Sequence, residues 1–471
     1  MAEKRFTRRG FMVGCSAAIA AMAGSKMNYV AFGSQVAEPN QEILVVIFMR
    51  GGCDGLNFIV PLSGADRGHY EAERQSLGIS TGALSPYDLG TLNAYAGSGS
   101  EAPGAAVQLA LHPNAAPLYD LYQANKLAII HAAGLDYDNR SHFDMMEYME
   151  RGTPGQRTTA SGWLTRHLES SPSLPDQIIA PALAIGNLQP SSLLASRETI
   201  GTNSLNDLQL NTGYWRWQDA QRSALRGMYN AGTWLHEAGA QTLNAVDIIE
   251  GQDTSNYQPA NGATYPGGGF GNNLRSIAQM IKLQLGMRIA TVDLGGWDTH
   301  EYQGDNGGGY FGNKMSELAQ GLNAFYTDLD GSGSENYAQR VTVAVMTEFG
   351  RKLIRNESGG TDHGHGGVML VLGGRVNGGQ LYGSWPGLDN GLGQLYSGRD
   401  LRITTDYRQI LSEIMIRRLA NPNIGYVFPG YGNYSPLGIM QGADLTPNYG
   451  SNPGGGQPIG PNSVYLPIVV K

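Results

Sequence analysis

Cysteine is nearly absent from this chain of 471 residues, where Cys15 and Cys53 are the two that occur. No C-x-x-C pair can be drawn, so a thiolate zinc site is excluded. If the N-terminus is removed, Cys53 stands alone without an intrachain disulfide. Charge is scarce as well. Asp, Glu, Lys and Arg make up 15% of the residues, and a net charge of −8 leaves no basic stripe to neutralise nucleic-acid phosphates. There is no apolar run of the roughly 20 residues that a membrane-spanning helix needs. Histidine is limited to nine residues, whereas glycine reaches 67, which predicts many loops and few long surface helices.

The first residues carry the most specific short signal. Thr7-Arg8-Arg9-Gly10-Phe11-Met12 has the form of a twin-arginine export motif, and an alanine-rich run follows from Phe11 to Gly24. That run is short for a span and is broken by glycine and serine, so residues 1–37 are expected to be an export signal rather than an anchor. The expected partner is the twin-arginine export machinery. The expected destination is periplasmic, cell-surface or extracellular.

Beyond this segment, apolar runs of strand length alternate with helical periodicity. "EILVVIFMR" (42–50) is continuously apolar, as suits a strand covered on both faces. Ala116 to Gly134 reads as a helix followed by a strand from Leu127 to His131. Leu274, Ile277, Ile281 and Leu285 share one helical face ahead of the strand "RIATVDLGG". "MSELAQGLNAFYTDL" leads to "VTVAVMTEFG", and "GVMLVLGG" adds a further strand. This alternation predicts an α/β fold, a three-layer sandwich around a mostly parallel sheet. Residues 42–437 are expected to form the main domain, with 189–270, rich in Asn, Gln, Tyr and Gly, as a cap-like helical insertion. Residues 438–471 are expected to be a Gly/Pro linker and short tail.

In sheets of this kind ligands gather beyond the carboxyl ends of the strands. The polar clusters sit there: Asp54, Asp298 with His300, Glu348, and the pair His363 and His365 in "GTDHGHGG". Carboxylates and imidazoles converging from several strand ends suit one or two divalent cations, Zn, Mg, Ca or Mn. Such ions would hold an anionic ester. Ser141 opens a helical run after the second strand, where free backbone N–H groups favour an anion, although serine is equally the residue preferred for an N-cap. Arg140 and Arg351 are candidate anion clamps. Asp54 also suits a simple turn cap, and Glu348 a pair with Arg351.

The segments "FMRGGCDGLNFIVP", "RSHFDMMEYMERG", "SGWLTRHL", "DLGGWDTH", "MTEFGRK", "GTDHGHGGVMLVLGG" and "TTDYRQI", in this order, resemble a bacterial twin-arginine-exported, sulfatase-like family of unknown function. That family is similar in fold to the alkaline phosphatase superfamily. The resemblance implies a metal-dependent hydrolase of phosphate or sulfate esters, with Ser141 as nucleophile. It also implies Asp54, Asp298, His300, Glu348, and His363 or His365 as metal ligands, and an anionic ester or sugar-type substrate. Three departures accompany it. Phe349 stands where a second-site histidine is expected, Asp298 and His300 are closer in sequence than the superfamily spacing, and no C-x-P-S-R motif exists to supply a formylglycine. A non-catalytic, metal-binding envelope protein and a phosphotransferase or mutase are the competing expectations.

Overall fold

The computed structural model describes residues 41–171, 181–186, 189–196, 199–205, 217–251 and 256–451. The expected signal segment 1–37 and the end of the tail lie outside the described residues. The strands are, in chain order, β1 (Ile43–Met49), β2 (Ile59–Pro61), β3 (Asp88–Leu92), β4 (Val107–Leu111), β5 (Leu127–Gly134), β6 (Ala182–Ile185), β7 (Thr199–Thr202), β8 (Ile289–Leu294), β9 (Val341–Met346), β10 (Gly367–Gly373), β11 (Gln380–Tyr382) and β12 (Thr405–Asp406). Nine of them form one sheet ordered β11-β5-β10-β9-β1-β8-β6-β7, with β12 also on β5, while β2-β4-β3 form a small separate sheet.

β1 explains the layering. All seven residues are buried, and because side chains alternate across a strand they divide between two cores. Val45 and Ile47 face one layer, where they meet helix α1 (Ala116–Gln123), α6 (Gly269–Leu283) and α7 (Gly309–Leu329) through Leu118, Leu274, Ile277 and Met315. Leu44, Val46 and Phe48 face the other, against α2 (His142–Arg151), α3 (Trp163–Ser170) and α8 (Tyr407–Arg417) through Met145, Trp163 and Ile410. Helix–sheet–helix is thus the expected three-layer sandwich, and most strand pairs are parallel. β10 runs antiparallel to both β5 and β9. A continuous apolar run carries no information on direction, so the sequence predicted this strand but not its reversal.

Three other points bear on the site. The 189–270 segment contributes the edge strand β7 to the main sheet as well as α4 (Gln218–Met228) and α5 (Trp234–Glu250). After residue 437 the chain stays docked, because the buried carboxylate of Glu413 accepts the backbone N–H groups of Leu437, Gly438 and Met440 at 2.6, 3.1 and 2.9 Å. At the end of β5, Ala132 takes φ +53° where the register with β10 shifts. No helix among the described residues is long and apolar enough to cross a membrane.

His112, His131 and His167 are buried away from the site, and desolvation pushes the pKa of each down to about 4. Their folded-state pKa lies below the unfolded value of about 6.5, so the stability they permit is present above pH 6.5 and is lost as pH falls toward 4. The expected loss at pH 5 is about 2 kcal/mol for each histidine. Denaturant titrations between pH 7 and 5, in EDTA, check this. His131→Gln should flatten the slope by about one proton, and an unchanged slope would contradict the assignment.

A candidate metal centre at the carboxyl edge of the sheet

β1, β8, β9 and β5 end on the same edge, and antiparallel β10 begins there. The loops leaving these strands are held together by backbone pairing before any side chain is considered. Gly350 donates to the His365 carbonyl at 2.9 Å, Gly364 to Gly350 at 2.9 Å, and Lys352 to Asp362 at 3.0 Å. A Cβ on Gly350 would lie 1.9 Å from the Gly366 carbonyl oxygen. The glycines flanking the two histidines therefore allow two loops to touch along their backbones. This pairing presents His363 on one side and His365 on the other.

Arg351 fixes the loops further. It is 1% exposed, and its guanidinium donates to the carbonyls of Gly52 (2.7 Å), Thr361 (2.9 Å), Gly51 (2.5 Å) and Trp297 (3.2 Å), and to the Asp298 carboxylate (2.5 Å). Asp298 is the centre of the cluster. His363 Nε2 lies 3.3 Å and His300 Nε2 3.1 Å from its Oδ1, and His142 Nε2 lies 3.4 Å from its Oδ2. The Nε2 atoms of His300 and His363 are 2.9 Å apart. His142, Asp298 and His363 offer ligand atoms all within 4.8 Å of one another.

The other nitrogen of each ring decides the chemistry. His142 Nδ1 lies 2.8 Å from Glu348 Oε1, His300 Nδ1 3.2 Å from Asp362 Oδ1, and His363 Nδ1 2.8 Å from the Arg140 carbonyl. Carboxylates and carbonyls only accept, so each Nδ1 carries the proton and each Nε2 of a neutral ring presents a lone pair. With all three rings neutral, three lone pairs and a carboxylate converge. Left alone they repel, and a cation among them turns that repulsion into coordination. Oxygen anchors on the far nitrogen are the usual support of metal-ligating histidines.

The electrostatics agree with that reading. Burial lowers the His363 pKa, aided by the Arg351 charge and opposed by the bonds to the Arg140 carbonyl and to Asp298. Burial acts to raise the pKa of Asp298, but the Arg351 hydrogen bond and charge hold it below the ordinary carboxylate value. Hydrogen bonds from Lys352 and Asn356 hold Asp362 well below the ordinary carboxylate value.

Several residues singled out from the sequence take other positions. Asp54 is not brought to the cluster. It is fully buried, both its oxygens face Arg74 (2.8 Å for Oδ1), Gln303 donates to Oδ2 at 2.6 Å, and it caps the short helix at Asn57. His365 points away, 3.0 Å from Asp136 and stacked on Tyr396 with ring centres 3.9 Å apart. Glu348 is fully buried and meets His142 and the Gly51 N–H (2.8 Å) rather than the cluster centre. Arg140 pairs with the buried Asp400 at 2.5 Å, and Arg351 is spent on carbonyls and Asp298. Ser141 is the N-cap of α2, its Oγ accepting the Asp144 N–H at 3.4 Å. It nevertheless sits between two residues of the cluster's surroundings, Arg140 and His142. His142 is not distinguishable in the sequence from a residue that merely follows the N-cap serine Ser141. The signal that could have found it is a histidine at the first position of a helix following a buried strand. Phe349, in the place of an expected histidine, packs against both His142 and His363 with ring centres 4.9 Å away.

The chain belongs to a family described as a protein of unknown function, DUF1501, which matches residues 41–415. No curated protein matches significantly. Among solved structures, the lipoteichoic acid synthase LtaP from Listeria monocytogenes is similar over 83% of this chain and 80% of that one, at 8% sequence identity and a TM-score of 0.25.

If Glu348 orients His142 as a ligand, Glu348→Gln should weaken Zn²⁺ binding by about 10–100-fold in a chelator-competition titration. An unchanged affinity would show that the Glu348 charge does not support His142 as a ligand.

Proposed function

We propose that this member of the DUF1501 family is an exported, metal-dependent hydrolase of phosphate or sulfate esters. The observation that carries the reading is the convergence of three imidazole Nε2 atoms on the Asp298 carboxylate. His142, Asp298, His363 and the adjoining His300 would hold one divalent cation. A donor set so rich in imidazole favours zinc over magnesium or calcium. Bound there, such an ion supplies Lewis-acid polarisation of an ester oxygen and acidifies a bound hydroxyl. Glu348, Asp362 and the Arg140 carbonyl keep the rings in the ligating tautomer, and Arg351 keeps Asp298 ionised and aimed.

Ser141 is the candidate nucleophile. Its hydroxyl stands at the N-terminus of the ten-residue helix α2, where the unpaired N–H groups favour an incoming anion. Its single cap bond is long, at 3.4 Å, and uses a lone pair rather than the hydroxyl proton. The motif at Thr7–Met12 supports export.

A second reading, a binding protein that retains the metal without turnover, is favoured by Phe143 and Tyr302. These side chains are 82% and 83% exposed and follow His142 and His300 closely in the chain. Exposed rings of this kind suit stacking against the sugar faces of a surface polymer.

Metal analysis of untagged protein, followed by turnover of p-nitrophenyl phosphate, bis-p-nitrophenyl phosphate and p-nitrophenyl sulfate, tests the proposal. The expected result is about one zinc-class ion per chain, with activity falling at least about a hundredfold in Ser141→Ala while the metal is retained. Metal-free wild type, or activity that survives the substitution, would overturn it. Full metal with no turnover of any ester would favour the binding protein.

A further inference from the structure

The opposite edge of the main sheet carries a second polar feature that the metal centre does not use. Arg288 immediately precedes β8, Arg340 precedes β9, and Gln41 and Glu42 precede β1, so all four lie at the amino ends of parallel strands. Six residues of β8 separate this edge from the loop that carries Asp298, a distance of about 20 Å at the usual rise per strand residue. Gln41, Arg288 and Arg340 line a pocket there whose walls include Ile43, Met280 and Met287.

Arg288 is the anomaly in this pocket. It is 7% exposed, and among the described residues its guanidinium makes no hydrogen bond and no ion pair. Its Nε is buried without a partner. Its nearest charges relieve it only in part, since Glu42 favours the cation while Arg340 opposes it. Arg340 donates Nη1 to Gln41 at 2.7 Å. Glu42, the acid of this edge, is paired with Arg418 and also faces Arg375 and Arg340. Among the described residues, one carboxylate is therefore set against four arginines. An unpaired buried cation costs several kcal/mol unless something compensates it, and the guanidinium fork matches tetrahedral oxyanions.

We propose that the pocket between Arg288 and Arg340 is a binding site for a free tetrahedral oxyanion, phosphate or sulfate, at the amino edge of the sheet. The anion bridges the two guanidinium groups and neutralises the excess positive charge left by the Glu42–Arg418 pair. Burial, with the neighbouring Arg340, brings the Arg288 pKa down to about 10, the direction expected of a cation that lacks its counter-ion.

The test is a thermal-unfolding titration with sodium phosphate and with sodium sulfate, against sodium chloride at matched ionic strength. EDTA is present throughout so that the histidine–aspartate centre holds no ion. Wild-type protein should show a saturable rise in Tm on the order of 2–5 °C beyond that in chloride. Arg288→Met should keep or raise the Tm without added anion, because an uncompensated buried charge is removed, and should abolish the anion-dependent rise. Arg340→Met, the second variant, should weaken the rise, and His363→Ala should keep it. The proposal is overturned if neither oxyanion exceeds chloride, if the rise survives in both arginine variants, or if it disappears in His363→Ala. The His363→Ala outcome also keeps failure of this site distinct from failure of the hydrolase reading.

Discussion

Arg351 is buried, yet it binds three of the loops that build the candidate metal centre, through carbonyls at Gly51 and Gly52, at Trp297, and at Thr361. A buried guanidinium is tolerable when all its donors are used and a carboxylate balances it. Here the balancing carboxylate is Asp298, the residue on which the histidines converge. One requirement therefore serves both ends. Satisfying Arg351 closes the loops, and closing the loops sets Asp298 in place with its charge maintained. Glu348 repeats this logic one layer away, taking the Gly51 N–H and orienting His142 with the same oxygen.

The sheet makes such a convergence possible. Strands buried on both faces must end where polar chain can meet water, and parallel strands end together. Four such ends and the start of β10 fall on one edge, so acids and imidazoles far apart in sequence become neighbours. The glycines between β9 and β10 permit the last step. Without them the Gly350 and Gly366 backbones could not pack as they do, and His363 would not face Asp298.

Much of this was legible beforehand because it follows from composition at strand ends. The continuous apolar runs gave β1, β8, β9 and β10, and the polar residues after them included Asp298, His300, Glu348 and His363. What escaped reading depended on partners distant in sequence. Asp54 reads as a ligand until Arg74 and Gln303 are seen to consume its oxygens. His363 and His365 are indistinguishable in a glycine-rich loop, and only the pairing of that loop with residues 350–352 sends one inward and the other to Asp136 and Tyr396. His142 was hidden beside a serine with an obvious capping role. The reversal of β10 was invisible because a continuous apolar run carries no direction.

The central claim is that the neutral Nε2 atoms of His142, His300 and His363 and the carboxylate of Asp298 surround a cation. X-ray absorption spectroscopy at the metal edge of the purified, zinc-loaded protein tests it most directly. The expected spectrum has a first shell of nitrogen and oxygen at about 2.0–2.1 Å, with outer-shell scattering from two or three imidazoles that diminishes in His363→Ala. A shell of oxygen alone, or imidazole scattering indifferent to that substitution, would contradict the account.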